Sequence, residues 1–100
     1  MTDHQIALDV VSKSTRVSQK KIISRSRTGN VVEARKLFIL LLAQDGVRDE
    51  IISWTLNRCR SSITLSRHTA KRLINSSAIF RNKYTQIKKR YEYQKSLRIS

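Results

Sequence analysis

The residues with chemistry to offer are concentrated between Leu56 and Ile74. There the run Leu-Asn-Arg-Cys-Arg-Ser-Ser-Ile-Thr-Leu-Ser-Arg-His-Thr-Ala-Lys-Arg-Leu-Ile gathers guanidinium, hydroxyl and imidazole groups. At the helical period Ile63, Ser66, Ala70, Leu73 and Ile74 fall on one side, and Ser61, Thr64, Leu65, His68 and Arg72 on the other. A small or apolar inner face backed by a hydrogen-bonding, cationic outer face suits a helix laid in a DNA major groove. Ser61 and Ser62 stand where an N-cap is wanted, and capping is compatible with phosphate contact. Arg60, Arg67 and Arg72 are expected mainly as phosphate anchors, with bidentate guanine recognition open to one of them. Leu65 is open to three readings: contact with thymine methyl groups, packing under the following helix, or a dimer contact.

The remaining reactive groups point to no enzyme. His68 is outward by phase, and a lone surface histidine is more often a contact than a metal ligand; His4 is too distant in sequence to pair with it. Cys59 is either an inert thiol or, between Arg58 and Arg60, a reactive one of lowered pKa. There is no Cys/His pair with a supporting acid, no pair of carboxylates on one face and no metal-ligand cluster. Asp45, Asp49 and Glu50 are read as helix-capping groups. No catalytic residue, metal or cofactor is expected.

Charge identifies the class of partner. The chain carries 21 Lys+Arg against 7 Asp+Glu, a formal charge of +14. The excess is uneven: residues 51–100 hold 12 cations and one acid, Glu92, against nine cations and six acids in residues 1–50. Such a surface repels itself unless it meets a polyanion, and nucleic acid is the usual one. A single cysteine rules out an internal disulfide. The longest apolar run, Leu37 to Ala43, is far short of a membrane span. With Asp3 and Asp9 where a secretory signal would be apolar, the expected location is the cytoplasm, with no membrane partner.

The elements that must position these groups are all helical. At 100 residues one domain is expected, over residues 1–94, followed by a basic frayed tail over 95–100. The first helix, 4–14, places Ile6, Ala7, Val10 and Val11 on one stripe. Ser18 caps a short second helix ending near Ser24, with Val17 and Ile22 at hydrophobic-staple spacing. Arg25-Ser26-Arg27-Thr28-Gly29-Asn30 forms a basic loop. The third helix, Val31 to Gln44, carries Ala34, Leu37, Phe38 and Leu41, widened by Leu40 and Leu42, and is expected at the centre. Gly46 suits a left-handed cap. Asp49 is expected to cap a fourth helix to Asn57, with Ile51, Trp54 and Thr55 inward, Ile52 and Leu56 beside them, and Trp54 in the core. A turn at 57–60 leads into the fifth helix, about 61–75. The sixth, about 78–94, has the stripe Phe80, Tyr84, Ile87 and Tyr91.

This order resembles the C-terminal duplex-DNA-binding domain of the bacterial replication initiator DnaA. The likeness runs from about Ile6 to Tyr91: Thr-Arg-Val-Ser before the short second helix, Ser-Arg-Ser-Arg in the loop, Glu-Ala-Arg opening the long apolar helix, then an Asn-Arg turn and a Ser/Thr-rich helix. It implies an all-α, six-helix compact domain with a helix-turn-helix, Trp-repressor-like, standing apart from any ATPase. It also implies that Arg27, eight positions before Arg35, matches the arginine that enters the minor groove in that family. Arg58 matches the arginine opening the family signature Arg-Asp-His-Thr-Thr-Val. Ser61, Ser62 and Ile63 match its last three members, the first reading a base edge and the last lying in the core. Thr64 matches a position of apolar base contact. The signature's Asp and His are Cys59 and Arg60 here, which implies a different preferred DNA sequence. No Gly-rich phosphate loop is present, so no nucleotide is expected.

The expected function is therefore sequence-specific binding of double-stranded DNA, in replication initiation or its regulation, in a nucleoid-associated protein of open oligomeric state. Arg25, Arg27, Arg58, Arg60, Ser61, Ser62, Thr64, Leu65, Arg67, His68 and Arg72 are the candidate contacts. Two alternatives stand beside it: a basic protein of structured RNA or the ribosome using the same charge, and a protein-interaction module pairing through the sixth helix, with incidental DNA binding.

Overall fold

The run Leu37-Phe38-Ile39-Leu40-Leu41-Leu42 is too apolar to expose any face, and it lies at the axis of the molecule. In the computed structural model, which describes residues 3–99, six helices follow in order: α1 (Asp3–Thr15), α2 (Gln19–Ile23), α3 (Gly29–Gln44), α4 (Asp49–Leu56), α5 (Arg60–Ser76) and α6 (Ala78–Ile99). Helix α3 packs against α1, α2, α4 and α5, and α6 closes the domain across α1 and α5. The result is a compact all-α domain with no strand among the described residues. The buried stripe of α6, Phe80, Tyr84, Ile87 and Tyr91, is the one the periodicity predicts, and those of α1 and α3 contain the predicted residues together with Leu8, Val31, Arg35 and Ile39. Each large apolar side chain among them contributes about 1.5–3 kcal/mol by leaving water.

The connections are set by backbone chemistry. The Ser18 hydroxyl accepts from the Lys21 amide at 3.2 Å, so the expected cap of α2 is present, with Val17 and Ile22 both buried. Helix α3 ends in a Schellman turn. Gly46, at φ +81°, donates to the Ala43 carbonyl, and Val47 donates back to Leu42. Helix α4 ends the same way with Asn57 in the left-handed region at φ 52°. Asn57 donates to Trp54, and Arg58 donates to Ser53. These two turns fix the angles at which α4 leaves α3 and α5 leaves α4.

Several expectations are corrected. Trp54 is 70% exposed. The inner face of α4 is instead Ile52, Ser53 and Leu56, because the Ile52–Leu56 pair one turn apart meets the core and rotates the indole outward. Arg48, not Asp49, occupies the N-cap of α4, and Cys59, not either serine, that of α5. Leu65 is 65% exposed, so it does not pack under α6. Helix α6 continues through Ile99 rather than ending near 94. The Lys95 ammonium donates to Asp45 Oδ2 at 2.5 Å and lies 4.7 Å from the centre of the Tyr91 ring, while the Tyr91 hydroxyl donates to the same carboxylate oxygen. This pins α6 to the end of α3 where a frayed tail was expected; Ser100 lies outside the described residues.

Candidate nucleic-acid interface

The loop 24–28 has almost no apolar side chain with which to hold its shape, and it is organised from beneath by one arginine. Arg35 falls in the buried phase of α3 and is 7% exposed. Its guanidinium donates to four carbonyl oxygens: Ile22 at 2.9 Å, Ser24 at 2.7 Å, Ser26 at 3.2 Å and Lys21 at 3.4 Å. Arg58, at the start of the α4–α5 connection, donates from Nη2 to the same Ser24 carbonyl at 3.0 Å. Burial, and then the positive charge of Arg58, hold the Arg35 guanidinium below its ordinary pKa. Two guanidiniums thus converge on neutral carbonyls with no carboxylate among their hydrogen-bond partners. A phosphate nearby would relieve that repulsion.

Sequence reasoning used Arg35 only as a marker for Arg27 and missed its structural task. The signal was there: an arginine one position after Ala34 and three before Phe38 sits in the stripe that must be buried. A buried arginine has to find acceptors.

Above this base the candidate residues form two adjoining surfaces. The first is an open cleft of about 680 Å³ between the basic loop and the start of α5, lined by Arg25, Arg27, Ser53, Trp54, Asn57, Arg58, Cys59 and Ser62. Its lining holds three arginines and no acid. Arg25 and Arg27 are exposed. The second is a shallow, mainly apolar patch on the outer side of α5, lined by Arg60, Ser61, Thr64, Leu65 and His68. The structure therefore brings together nine of the sequence-predicted residues on these two surfaces.

Arg67 and Arg72 stand apart. Arg67 is a clamp: its Nε and Nη2 donate to the two oxygens of Asp49 at 2.9 and 3.0 Å, and only 21% of its side chain is exposed. Thr64 donates to Asp49 Oδ2 at 2.8 Å and lies 3.1 Å from the Arg60 carbonyl oxygen, so its hydroxyl is engaged within the protein. The bond from Arg67, opposed by burial and helped by Thr64, holds the Asp49 carboxyl below the usual carboxylate range. Asp49 thus ties the first turn of α4 to α5 from the side. Arg72 is exposed further along α5 and lines neither surface.

Cys59 is exposed at the N-cap of α5, with the Ser61 and Ser62 hydroxyls 3.3 and 3.1 Å from its sulfur. Those hydroxyls, Ser61 first, bring the thiol down to about 7. Sulfur and serines together occupy the mouth of a helix whose first N–H groups carry no side-chain cap. Among the described residues no group of His, Cys, Asp and Glu is placed to hold a metal ion, and no helix is long and apolar enough to cross a membrane.

Compared with protein-family models and with curated proteins, the chain matches none. The resemblance to the initiator domain rests on the residues that carry it.

Proposed function

We propose that this chain is a duplex-DNA-binding module in which α4 and α5 form a helix-turn-helix of the Trp-repressor-like kind found in the DnaA C-terminal domain. The start of α5 enters the major groove, and the Arg25–Arg27 loop reaches the adjacent minor groove. Its place is with the nucleoid, in replication initiation or its regulation. The observation that carries this reading is the cleft with three arginines and no acid beside the outward face of α5, resting on a loop held in shape by the buried Arg35. An uncapped helix N-terminus at the same place adds N–H donors and a positive dipole end for a phosphate.

Within the reading, roles divide by what each side chain is free to do. Arg25, Arg27, Arg58 and Ser62 serve the backbone and the minor groove. Arg60 and Ser61, with the exposed Leu65 and His68, read base edges and thymine methyl groups. Thr64 offers its methyl group, since its hydroxyl serves Asp49. Arg67 holds the helices together, and Arg72 meets a more distant phosphate.

The test is equilibrium binding of labelled duplex DNA, duplex RNA and single strands over a range of salt. With Arg25, Arg27, Arg58, Arg60 and Arg72 entering the DNA and about five charges neutralised, log K falls with log salt at a slope of roughly −4 to −5, and duplex DNA is preferred. A salt-independent interaction overturns the proposal, and a preference for duplex RNA replaces it with the RNA reading. Selection from random duplexes by the natural protein and by Arg60→Ala then tests the reading face. Unchanged base preferences in the variant remove Arg60 from it.

A further inference from the structure

Trp54 is the only tryptophan of the chain, and it stands 70% exposed on a helix whose Ile52 and Leu56 face inward. Leaving an indole in water forgoes the burial available to it, so its place needs a reason. It lines the same cleft as Arg25, Arg27 and Arg58, in which no acid appears. An aromatic surface in a cleft that three arginines also line is complementary to a ligand that alternates anionic groups with apolar faces. A sugar–phosphate strand is such a ligand: charged phosphates are spaced by deoxyribose rings whose C–H faces pack on aromatic groups.

The position of the cleft makes the assignment more specific. One wall is the basic loop, Arg25 and Arg27; the other is the α4–α5 connection and the start of α5, Arg58 and Ser62. Where the loop occupies a minor groove and α5 the neighbouring major groove, the groove wall between them is a single backbone strand. We propose that this cleft is a seat for one deoxyribose–phosphate strand of the duplex, with the Trp54 indole packed on a sugar ring, Arg25 and Arg58 on the flanking phosphates, and Arg27 reaching past the strand into the minor groove. This rests on the duplex-DNA reading and adds a contact that neither the arginine pattern nor the resemblance names.

The seat depends on its floor. Asn57 in the left-handed conformation turns the chain so that Arg58 reaches the Ser24 carbonyl, and that bond joins the two walls. Trp54 itself has no partner to lose on the solvent side, so replacing it leaves the fold intact.

The experiment uses the full chain and its single tryptophan as reporter, with binding followed separately by anisotropy of a labelled duplex. On duplex DNA the indole emission shifts and becomes protected from acrylamide quenching. Trp54→Ala lowers duplex affinity about tenfold, the lower end of an aromatic contact with nucleic acid, and Trp54→Phe retains most of it. Thermal melting of both variants stays at the natural value. Duplex binding with unchanged acrylamide accessibility, or full affinity in Trp54→Ala, overturns the strand seat and leaves the DNA reading standing. Tryptophan protection on single strands but not on duplex replaces the sugar contact with stacking on an unpaired base, and overturns the seat as stated. Absence of duplex binding by anisotropy removes the DNA reading and the seat together.

Discussion

At the scale of single residues, Arg27 and Arg35 separate positioning from contact. Arg27 lies exposed in the basic loop, and Arg35 lies in α3, buried beneath that loop on four carbonyls. Arg27→Ala is expected to weaken specific DNA binding by about 1–3 kcal/mol and to leave the melting temperature unchanged. Arg35→Leu is expected to cost about 2–4 kcal/mol of stability, since it removes charge-assisted hydrogen bonds and leaves buried carbonyls unsatisfied. Urea denaturation reads the second effect, and faster amide exchange in residues 24–28 should accompany it. Equal stability of Arg35→Leu and the natural protein would show that the loop holds itself.

Asp49 carries the pH dependence. Its folded-state pKa is depressed by the bond from Arg67, so the stability it contributes is present above the ordinary carboxylate range and is lost as pH falls through the depressed value. Asp45 behaves alike: burial pushes its carboxyl up, but the hydrogen bonds from Lys95 and Tyr91 outweigh that and hold it low. Acid unfolding should therefore have two main contributors. Asp49→Asn is expected to lower stability at neutral pH and to flatten part of the acid limb in a series of urea midpoints against pH. An unchanged acid limb would mean that the Asp49–Arg67 clamp contributes nothing net.

At the scale of elements, helices with a single, strongly periodic stripe were legible and those decided by a neighbour were not. Phe80, Tyr84, Ile87 and Tyr91 leave α6 only one way to lie. The far end of α6 is ordered by Asp45, a residue near the middle of the sequence, and no local pattern signals that contact. In α4 the large indole pulled the expected inner face toward Ile51, Trp54 and Thr55. Packing is decided by which residues share a side over successive turns, and Ile52 with Leu56 makes the better pair. In α5 the inner face was read correctly at Ile63 and Ala70, while the serines proved to sit inside the helix behind Cys59. The candidate site was legible in its parts. Its assembly was not: the buried phase of Arg35 signals that it needs acceptors, but nothing in the sequence says which carbonyls Arg35 and Arg58 meet.

The α4–α5 connection carries the element-scale prediction. Asn57 lies at φ 52°, a conformation that asparagine and glycine tolerate and β-branched residues do not. Asn57→Gly should match or slightly exceed the natural stability. Asn57→Val should cost about 1–2 kcal/mol from the left-handed conformation. Its DNA affinity should also fall, because Arg58 is displaced from Ser24. Thermal melting of both variants decides it, and a Val variant as stable as the Gly variant would show that the turn relaxes without strain.

At the scale of the whole molecule, the governing fact is a charge of +14 on 100 residues. The four ion pairs found among the described residues, Lys13–Asp9, Arg67–Asp49, Lys83–Glu33 and Lys95–Asp45, use four of the 21 cations. The others repel one another across a molecule whose longest dimension is 36 Å. Repulsion of this kind destabilises the compact state and is relieved by screening. Without nucleic acid, the melting temperature should therefore rise as salt is added. Duplex DNA should have the opposite salt profile: bound to the folded state alone, it stabilises by about 2.7 kcal/mol at a hundredfold excess over Kd, and that gain shrinks as salt weakens binding. The two melting curves, with and without duplex, should be far apart at low salt and converge as salt increases. Curves that stay parallel would mean that the partner is held by something other than this charge. Curves that coincide at low salt would mean that duplex DNA is not the polyanion this surface is built to meet.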